Sequence, residues 1–182
     1  MLTNKTALIT GGSSGIGFAS AKMLIANGGR VAITGRDQVK LNAAQEELGG
    51  DAIAIKADIS SLDDVQRMHD DVQREFGSLD ILFANAGVAF GTPLGKTDEA
   101  MFHRLMDVNV KGTFFSVQSL LPLMNDEASV ILNTSWLNQI GTPGKVLLSA
   151  SKAAVRSFAR VMSAELTHRR IRVNCVSPGT IE

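Results

Sequence analysis

Glycines at positions 11, 15 and 17 give the stretch Thr10-Gly11-Gly12-Ser13-Ser14-Gly15-Ile16-Gly17 the spacing G-x-x-x-G-x-G. A short apolar run, Ala7-Leu8-Ile9, precedes it. Ile16, Ala19, Met23 and Ala26 follow three and four residues apart, the spacing of one helix face. Glycine lets the backbone turn tightly and lets a ligand approach with no Cβ in the way. The helix start offers unpaired N–H groups and the positive end of a dipole, which suits a phosphate. A plain tight turn is the bland reading. A strand before, a helix after and a place at the head of the chain predict a dinucleotide site instead.

Other residues with chemistry to offer recur just after apolar runs. A site for NAD has an acid about twenty residues beyond its glycines, to accept from the ribose 2′-OH. Here that place holds Gly35, with Arg36 next. A guanidinium grips a 2′-phosphate bidentately, so NADP is expected over NAD. Asp37 is the competing ribose acid, but it reads better as a helix N-cap. Ser14 is neutral, so the loop adds no second cation. Asp58, followed by Ile59, can accept from an adenine amino group or simply cap its loop. Asn85-Ala86-Gly87 is small enough for backbone to approach a cofactor, and Asn85 can equally pin a turn. Asn133-Thr134-Ser135-Trp136 and Ser177-Pro178-Gly179-Thr180-Ile181-Glu182 stand in the same kind of place. His69, His103 and His168 are scattered without ligand-like spacing, and no metal is expected.

The elements that must position these residues alternate between strand-like and helix-like patterns. Strands are expected at Ala7–Ile9, Arg30–Thr34, Ala52–Ile55, Ile81–Ala84 and Val130–Leu132, with a sixth opening at Ile171. Between them lie a helix over Asp37–Leu48 with Leu41, Ala44 and Leu48 on one face, and a helix opened by Ser61 and Asp64 as a capping box, with Val65, Met68, Val72 and Phe76 inward. A long helix with Val110, Phe114, Val117, Leu121 and Met124 inward precedes the fifth strand. Another runs from about Ser149 to Thr167 with Ala154, Phe158, Met162 and Leu166 aligned. Asn27-Gly28-Gly29 closes the first helix as a C-cap. Alternating β and α with uninterrupted apolar strands predicts an α/β fold with a parallel sheet covered on both faces. Ligands in such sheets bind beyond the carboxyl ends of the strands.

Composition bounds the rest. The chain has 182 residues, which suggests one domain over 1–182, and 18 basic residues offset 18 acidic ones. No basic run points to nucleic acid, and no apolar stretch is long enough to span a membrane. The single cysteine, Cys175, excludes an intrachain disulfide. A cytoplasmic location is expected, since the N-terminus has no signal-peptide pattern.

Taken together, these motifs resemble the short-chain dehydrogenase/reductase family over essentially the whole chain. Thr10–Gly17 is similar to its TGxxxGxG loop, with Gly11, Ser13, Ser14, Gly15, Ile16 and Gly17 against the cofactor. Asn85-Ala86-Gly87 is similar to its NAG motif, and Asp107-Val108-Asn109 to the segment with its catalytic asparagine. Ser135 falls where its catalytic serine lies. Ser151-Lys152-Ala153-Ala154 resembles the end of YxASKAA, and Pro178-Gly179 its PG motif, with Ile181 as a backbone contact to the nicotinamide amide. The resemblance implies a Rossmann-type doubly wound sheet in three layers, αβα, with strand order 3-2-1-4-5-6. It implies hydride transfer between NADP or NAD and a small-molecule carbonyl or alcohol. Ser135 would hold the substrate oxygen, Asn109 would position a water, and Lys152 would grip the nicotinamide ribose and favour phenolate on a tyrosine. Family members form dimers and tetramers through the two late helices, so a homodimer or homotetramer is expected.

Two departures stand out. The tyrosine four residues before the lysine is Leu148 here, and the chain contains no tyrosine. The resemblance also implies a lid, a last helix and a seventh strand past Pro178-Gly179, so the chain reads as C-terminally incomplete. A disabled or impaired oxidoreductase, a non-catalytic dinucleotide-binding protein serving as sensor or partner subunit, and a fragment of a larger enzyme are the alternatives.

Overall fold

The computed structural model describes residues 1–50 and 52–180. Six strands form one sheet: β1 (Thr6–Ile9), β2 (Arg30–Gly35), β3 (Ala52–Lys56), β4 (Leu79–Ala84), β5 (Met124–Asn133) and β6 (Arg172–Val176). Their order is β3-β2-β1-β4-β5-β6, and every pairing is parallel. The order runs outward in opposite directions from β1 and β4. The crevice at their carboxyl ends is therefore the place where such a sheet binds ligands. This is the expected Rossmann-type order, with six strands among the described residues.

Six α-helices among the described residues flank the sheet: α1 (Gly15–Ala26), α2 (Gln38–Leu48), α3 (Leu62–Phe76), α4 (Glu99–Met106), α5 (Thr113–Leu120) and α6 (Val146–Glu165). Successive strand residues point to opposite faces. Leu8 accordingly joins a core with Val65, Met68, Leu82, Leu132 and Val155, while its neighbour Ile9 joins one with Val31, Ile33, Leu41 and Phe83. Apolar surface on both faces is what makes the sheet a middle layer.

Local chemistry starts and stops these elements. The Asp37 carboxylate accepts from Val39 N at 3.0 Å and Lys40 N at 3.1 Å, both on Oδ1, so it is the N-cap of α2. Ser61 Oγ accepts from Asp64 N at 3.3 Å at the head of α3. The Asp64 carboxylate does not close a reciprocal box. It reaches back to Asp58 N at 2.9 Å, and that N–H holds the Asp64 carboxyl below the usual carboxylate range.

Three expectations are corrected. The long helix before β5 is broken: α4 passes through a π-turn over Asp107–Gly112 into α5, then a 3₁₀ turn over Leu121–Leu123. Pro122, without an N–H to donate, ends the helix there, so Met124 opens β5 instead of facing inward from a helix. In α1 the buried residues are Gly17 and Ala21, while Met23 is 65% exposed. At Gly17 a Cβ would meet Gly11 O and Asn85 Nδ2, so that position admits no larger residue. Ile16, Ala19 and Met23 instead line an open apolar groove with Ile81, Phe83 and Ile131. Helix α6 begins earlier than expected and buries Leu148, Ser151, Lys152, Val155, Ala159 and Met162, leaving Ala154 and Phe158 half-buried.

Candidate functional site at the strand ends

The turn from β1 to α1 is held open by its neighbours. Thr10 is 1% exposed; its Oγ1 accepts from Asn85 N and Ala86 N, both at 3.0 Å. The Asn85 Nδ2 donates to Thr10 O at 3.0 Å and Gly11 O at 3.2 Å. Gly11 has φ +66°, and a Cβ there would lie 2.9 Å from Ala86 Cα. A Cβ on Gly17 would lie 2.3 Å from Gly11 O and 2.6 Å from Asn85 Nδ2. Both glycines are thus required by close approach. Ser14 N-caps α1 without a side-chain hydrogen bond, and Gly15 opens onto space, with nothing within 4 Å of where its Cβ would stand. The first N–H groups of α1 face that space.

This turn floors a cavity of about 820 Å³. That volume lies within the range of small-molecule and cofactor sites, ~300–1,000 Å³. Of the expected cofactor contacts, Gly11, Ser13, Ser14, Ile16, Arg36, Asp58, Ile59, Asn85, Ala86 and Gly87 line it, whereas Gly15 borders the apolar groove instead and Gly17 packs beneath the turn against Gly11 O and Asn85 Nδ2. At one end Arg36 Nη1 stands 3.8 Å from Asp58 Oδ2, with the Arg36 side chain 62% exposed. Such an exposed pair contributes little to stability and leaves the guanidinium free to turn to a ligand. Asp58 Oδ1 holds its loop, accepting from Ser60 N at 2.9 Å and Ser60 Oγ at 2.6 Å, so the capping reading of Asp58 is realised through one oxygen and the other faces Arg36.

At the other end a π-turn and α6 supply the reactive side chains. Lys152 is 8% exposed, its Nζ donating to Asn133 O at 2.8 Å. Burial disfavours its charged form and lowers its pKa to about 8. A Cβ on Gly87 would lie 3.4 Å from Lys152 Nζ and 3.2 Å from Asn109 Oδ1, so both groups stand against the cavity wall at Gly87. Asn109 is fully buried. Its Oδ1 accepts from Val88 N at 2.8 Å, and its Nδ2 donates to Val88 O at 3.0 Å and Ser151 Oγ at 3.2 Å. Both donors of that amide are committed, which locks the segment after β4 to α6.

Ser135 Oγ accepts from Leu137 N at 3.2 Å, capping the 3₁₀ turn Trp136–Asn138, and keeps its own O–H to donate. Ser149 Oγ donates to Leu137 O at 2.7 Å and ties that turn to α6. Leu148 is 7% exposed and packs with Leu105 and Leu137 in a small apolar cluster. Trp136 is 44% exposed, so it is no core residue, and its backbone N–H donates to Pro178 O at 3.1 Å. Pro178 thereby sits beside the Ser135 turn with Gly179 next along the chain, whereas Ile181 lies outside the described residues.

Two polar atoms escaped the sequence reading. Thr34 Oγ1 and Asn133 Oδ1 are buried without a hydrogen-bond partner among the described residues, and both residues line the cavity. Buried polar groups are usually paired, and two orphans on one cavity fit a ligand carrying donors. Place alone put Asn133 in a strand-end run and gave it no role, because a strand-end Thr or Asn is ordinary until its partners are known.

The family model for short chain dehydrogenase matches residues 5–182. An oxidoreductase of Sarocladium schorii, asL5, is 44% identical over 182 residues, covering 99% of this chain and 73% of that one. A short chain dehydrogenase from Burkholderia cenocepacia, solved in complex with NADP, matches with a TM-score of 0.91 and 35% identity, over 100% of this chain and 76% of that one. A 3-ketoacyl-(acyl-carrier-protein) reductase from Brucella melitensis, complexed with NADH, matches with a TM-score of 0.94 and 29% identity, over 98% of this chain and 77% of that one.

Proposed function

The chain belongs to the short-chain dehydrogenase/reductase family, and from that premise we propose that it binds a nicotinamide dinucleotide, NADP in preference to NAD, and exchanges hydride with a small-molecule carbonyl or alcohol. The observation that carries this reading is the cavity that joins the glycine turn and Arg36 to the Gly87 wall where Lys152 and Asn109 stand. Solved relatives holding NADP and NADH support the ligand class. Arg36, with no acid in the ribose position, supports the 2′-phosphate form.

When bound, the dinucleotide supplies the hydride donor or acceptor. The chain's own residues do the rest. The N–H groups at the head of α1 hold the pyrophosphate, and Arg36 grips the 2′-phosphate. Asp58, Ile59 and Ala86 flank the adenosine half. Asn85 keeps the glycine turn in shape. Pro178 and Gly179, which follow β6 beside the Ser135 turn, would meet the nicotinamide end. The Ser135 hydroxyl donates to the substrate oxygen, where negative charge develops on reduction.

Proton transfer falls to Lys152, because Leu148 carries no proton. A group with a pKa near the working pH is an effective general acid or base, and burial brings Lys152 to about 8. Its ammonium supplies the proton directly or through a water, and Asn109 keeps the neighbouring wall in place. The reading carries with it a cytoplasmic homodimer or homotetramer, which sedimentation and fractionation test.

Leu148 favours a second reading, a non-catalytic dinucleotide-binding protein acting as sensor or partner subunit. Calorimetry with NADPH and NADH, followed by NADPH consumption over a panel of ketones and aldehydes, tests both. Binding with turnover supports the oxidoreductase. Binding without turnover moves the reading to the second. No binding of either nucleotide removes both.

A further inference from the structure

We infer that Asn133 is a cofactor-binding residue, its Oδ1 accepting a hydrogen bond from a hydroxyl of the ribose next to the nicotinamide; this rests on the dinucleotide reading above. The orientation of the Asn133 amide follows from a chain of constraints. Thr10 O and Gly11 O are both acceptors, so the Asn85 group facing them at 3.0 and 3.2 Å must be Nδ2. Asn85 Oδ1 therefore faces the other way and meets Asn133 Nδ2 at 2.8 Å. That bond in turn points Asn133 Oδ1 away from Asn85, and it is left buried and unpaired among the described residues.

Asn133 lines the cavity, and its own carbonyl oxygen receives Lys152 Nζ at 2.8 Å. The free acceptor thus belongs to the Lys152 end of the cavity, far along it from Arg36. The terminal torsion of an asparagine is broad, so a small rotation brings Oδ1 onto a donor seated in the cavity. A ribose hydroxyl is a donor of that kind, and an acceptor sealed from water gains most from receiving one. The same amide links the glycine turn, through Asn85, to the strand end that holds the lysine.

The test is calorimetry of the full chain and its Asn133→Ala variant with three probes: NADPH, 2′-phospho-ADP-ribose and adenosine 2′,5′-bisphosphate. The first two carry the second ribose, and the third does not. The expected result is about tenfold weaker binding of NADPH and of 2′-phospho-ADP-ribose, with less than a twofold change for the bisphosphate. An equal loss for all three overturns the inference, since Asn133 would then act only through Asn85 and the glycine turn. A loss confined to NADPH overturns the ribose assignment in favour of the carboxamide. Unchanged binding of NADPH overturns it outright. Should Asn133→Ala not fold, Asn133→Ser keeps a hydroxyl on the Asn85 side but stops short of the cavity, and the same pattern is expected of it. A wild-type chain that binds none of the probes marks failure of the dinucleotide reading itself, which is a different outcome from a wild type that binds and a variant that matches it.

Discussion

Replacing Leu148 with tyrosine is expected to raise NADPH-dependent turnover at least a hundredfold. Position 148 lies one helical turn before Lys152 on α6, and both side chains are buried. Side chains four apart on a helix have Cβ atoms ~5–6 Å apart. A charge pair at about 5 Å with an effective dielectric near 20 interacts by roughly 3 kcal/mol. That is a little over two decades of ionisation, enough to bring a phenol from ~10 to about 8. A general acid or base tuned in this way contributes roughly 10²–10⁴-fold. Against the gain stands crowding. Leu148 is 7% exposed against Leu105 and Leu137, and a larger ring there costs about 1–3 kcal/mol of stability. The assay is the loss of NADPH absorbance over a panel of ketones and aldehydes, beside thermal melts of both proteins. A folded Leu148→Tyr protein that binds NADPH as the parent does, yet turns over no faster on any substrate, refutes the reasoning that the missing phenol is the deficit.

Arg36→Ala should weaken NADPH binding roughly tenfold or more and leave NADH nearly unchanged, because only the 2′-phosphate loses a charge-assisted partner; tighter NADH than NADPH binding in the parent would remove the NADP preference. Gly17→Ala should destabilise the fold by about 1–3 kcal/mol and abolish nucleotide binding, since its Cβ would stand 2.3 Å from Gly11 O; calorimetry and thermal melts check it. The folded chain lowers the Lys152 pKa to about 8, whereas the unfolded chain keeps it near ~10.4. Below pH 8 both states hold the proton and folding carries a penalty of about 3 kcal/mol, relieved as pH rises from about 8 towards 10, where the unfolded chain binds more protons. Lys152→Met removes that penalty and also the bond to Asn133 O. Its stability relative to the parent, from urea titrations at a series of pH values, should therefore fall as pH rises through that window, and a flat difference contradicts the burial argument.

Much of the fold was legible because strands and helices in a doubly wound sheet carry their signals locally. Apolar runs such as Ile81–Ala84 mark strands buried on both faces, and Asp37 announces the cap of α2 by type and place. Boundaries went astray where a neighbour decided them. Pro122 cut the helix before β5. In α1, Gly17 and Ala21 took the buried face, although hydrophobicity ranks Ile16 and Met23 higher. Close contact of Gly17 with Gly11 O and Asn85 Nδ2, which no periodicity encodes, turned that side of the helix inward.

The site divides in the same way. By itself the sequence determined the G-x-x-x-G-x-G turn between strand and helix, the Gly35-Arg36 pair about twenty residues beyond it, and the absence of a tyrosine at Leu148. Each of these is a matter of residue type and spacing. Only the tertiary structure decided that Lys152 is buried, that Trp136 is exposed, and that the Asn109 amide is committed to Val88 and Ser151. Only it exposed Asn133 Oδ1 as an unpaired acceptor on the cavity. The reason is physical. The state of a polar group depends on the partners and water it keeps, and here those partners come from residues 19 to 48 positions apart along the chain.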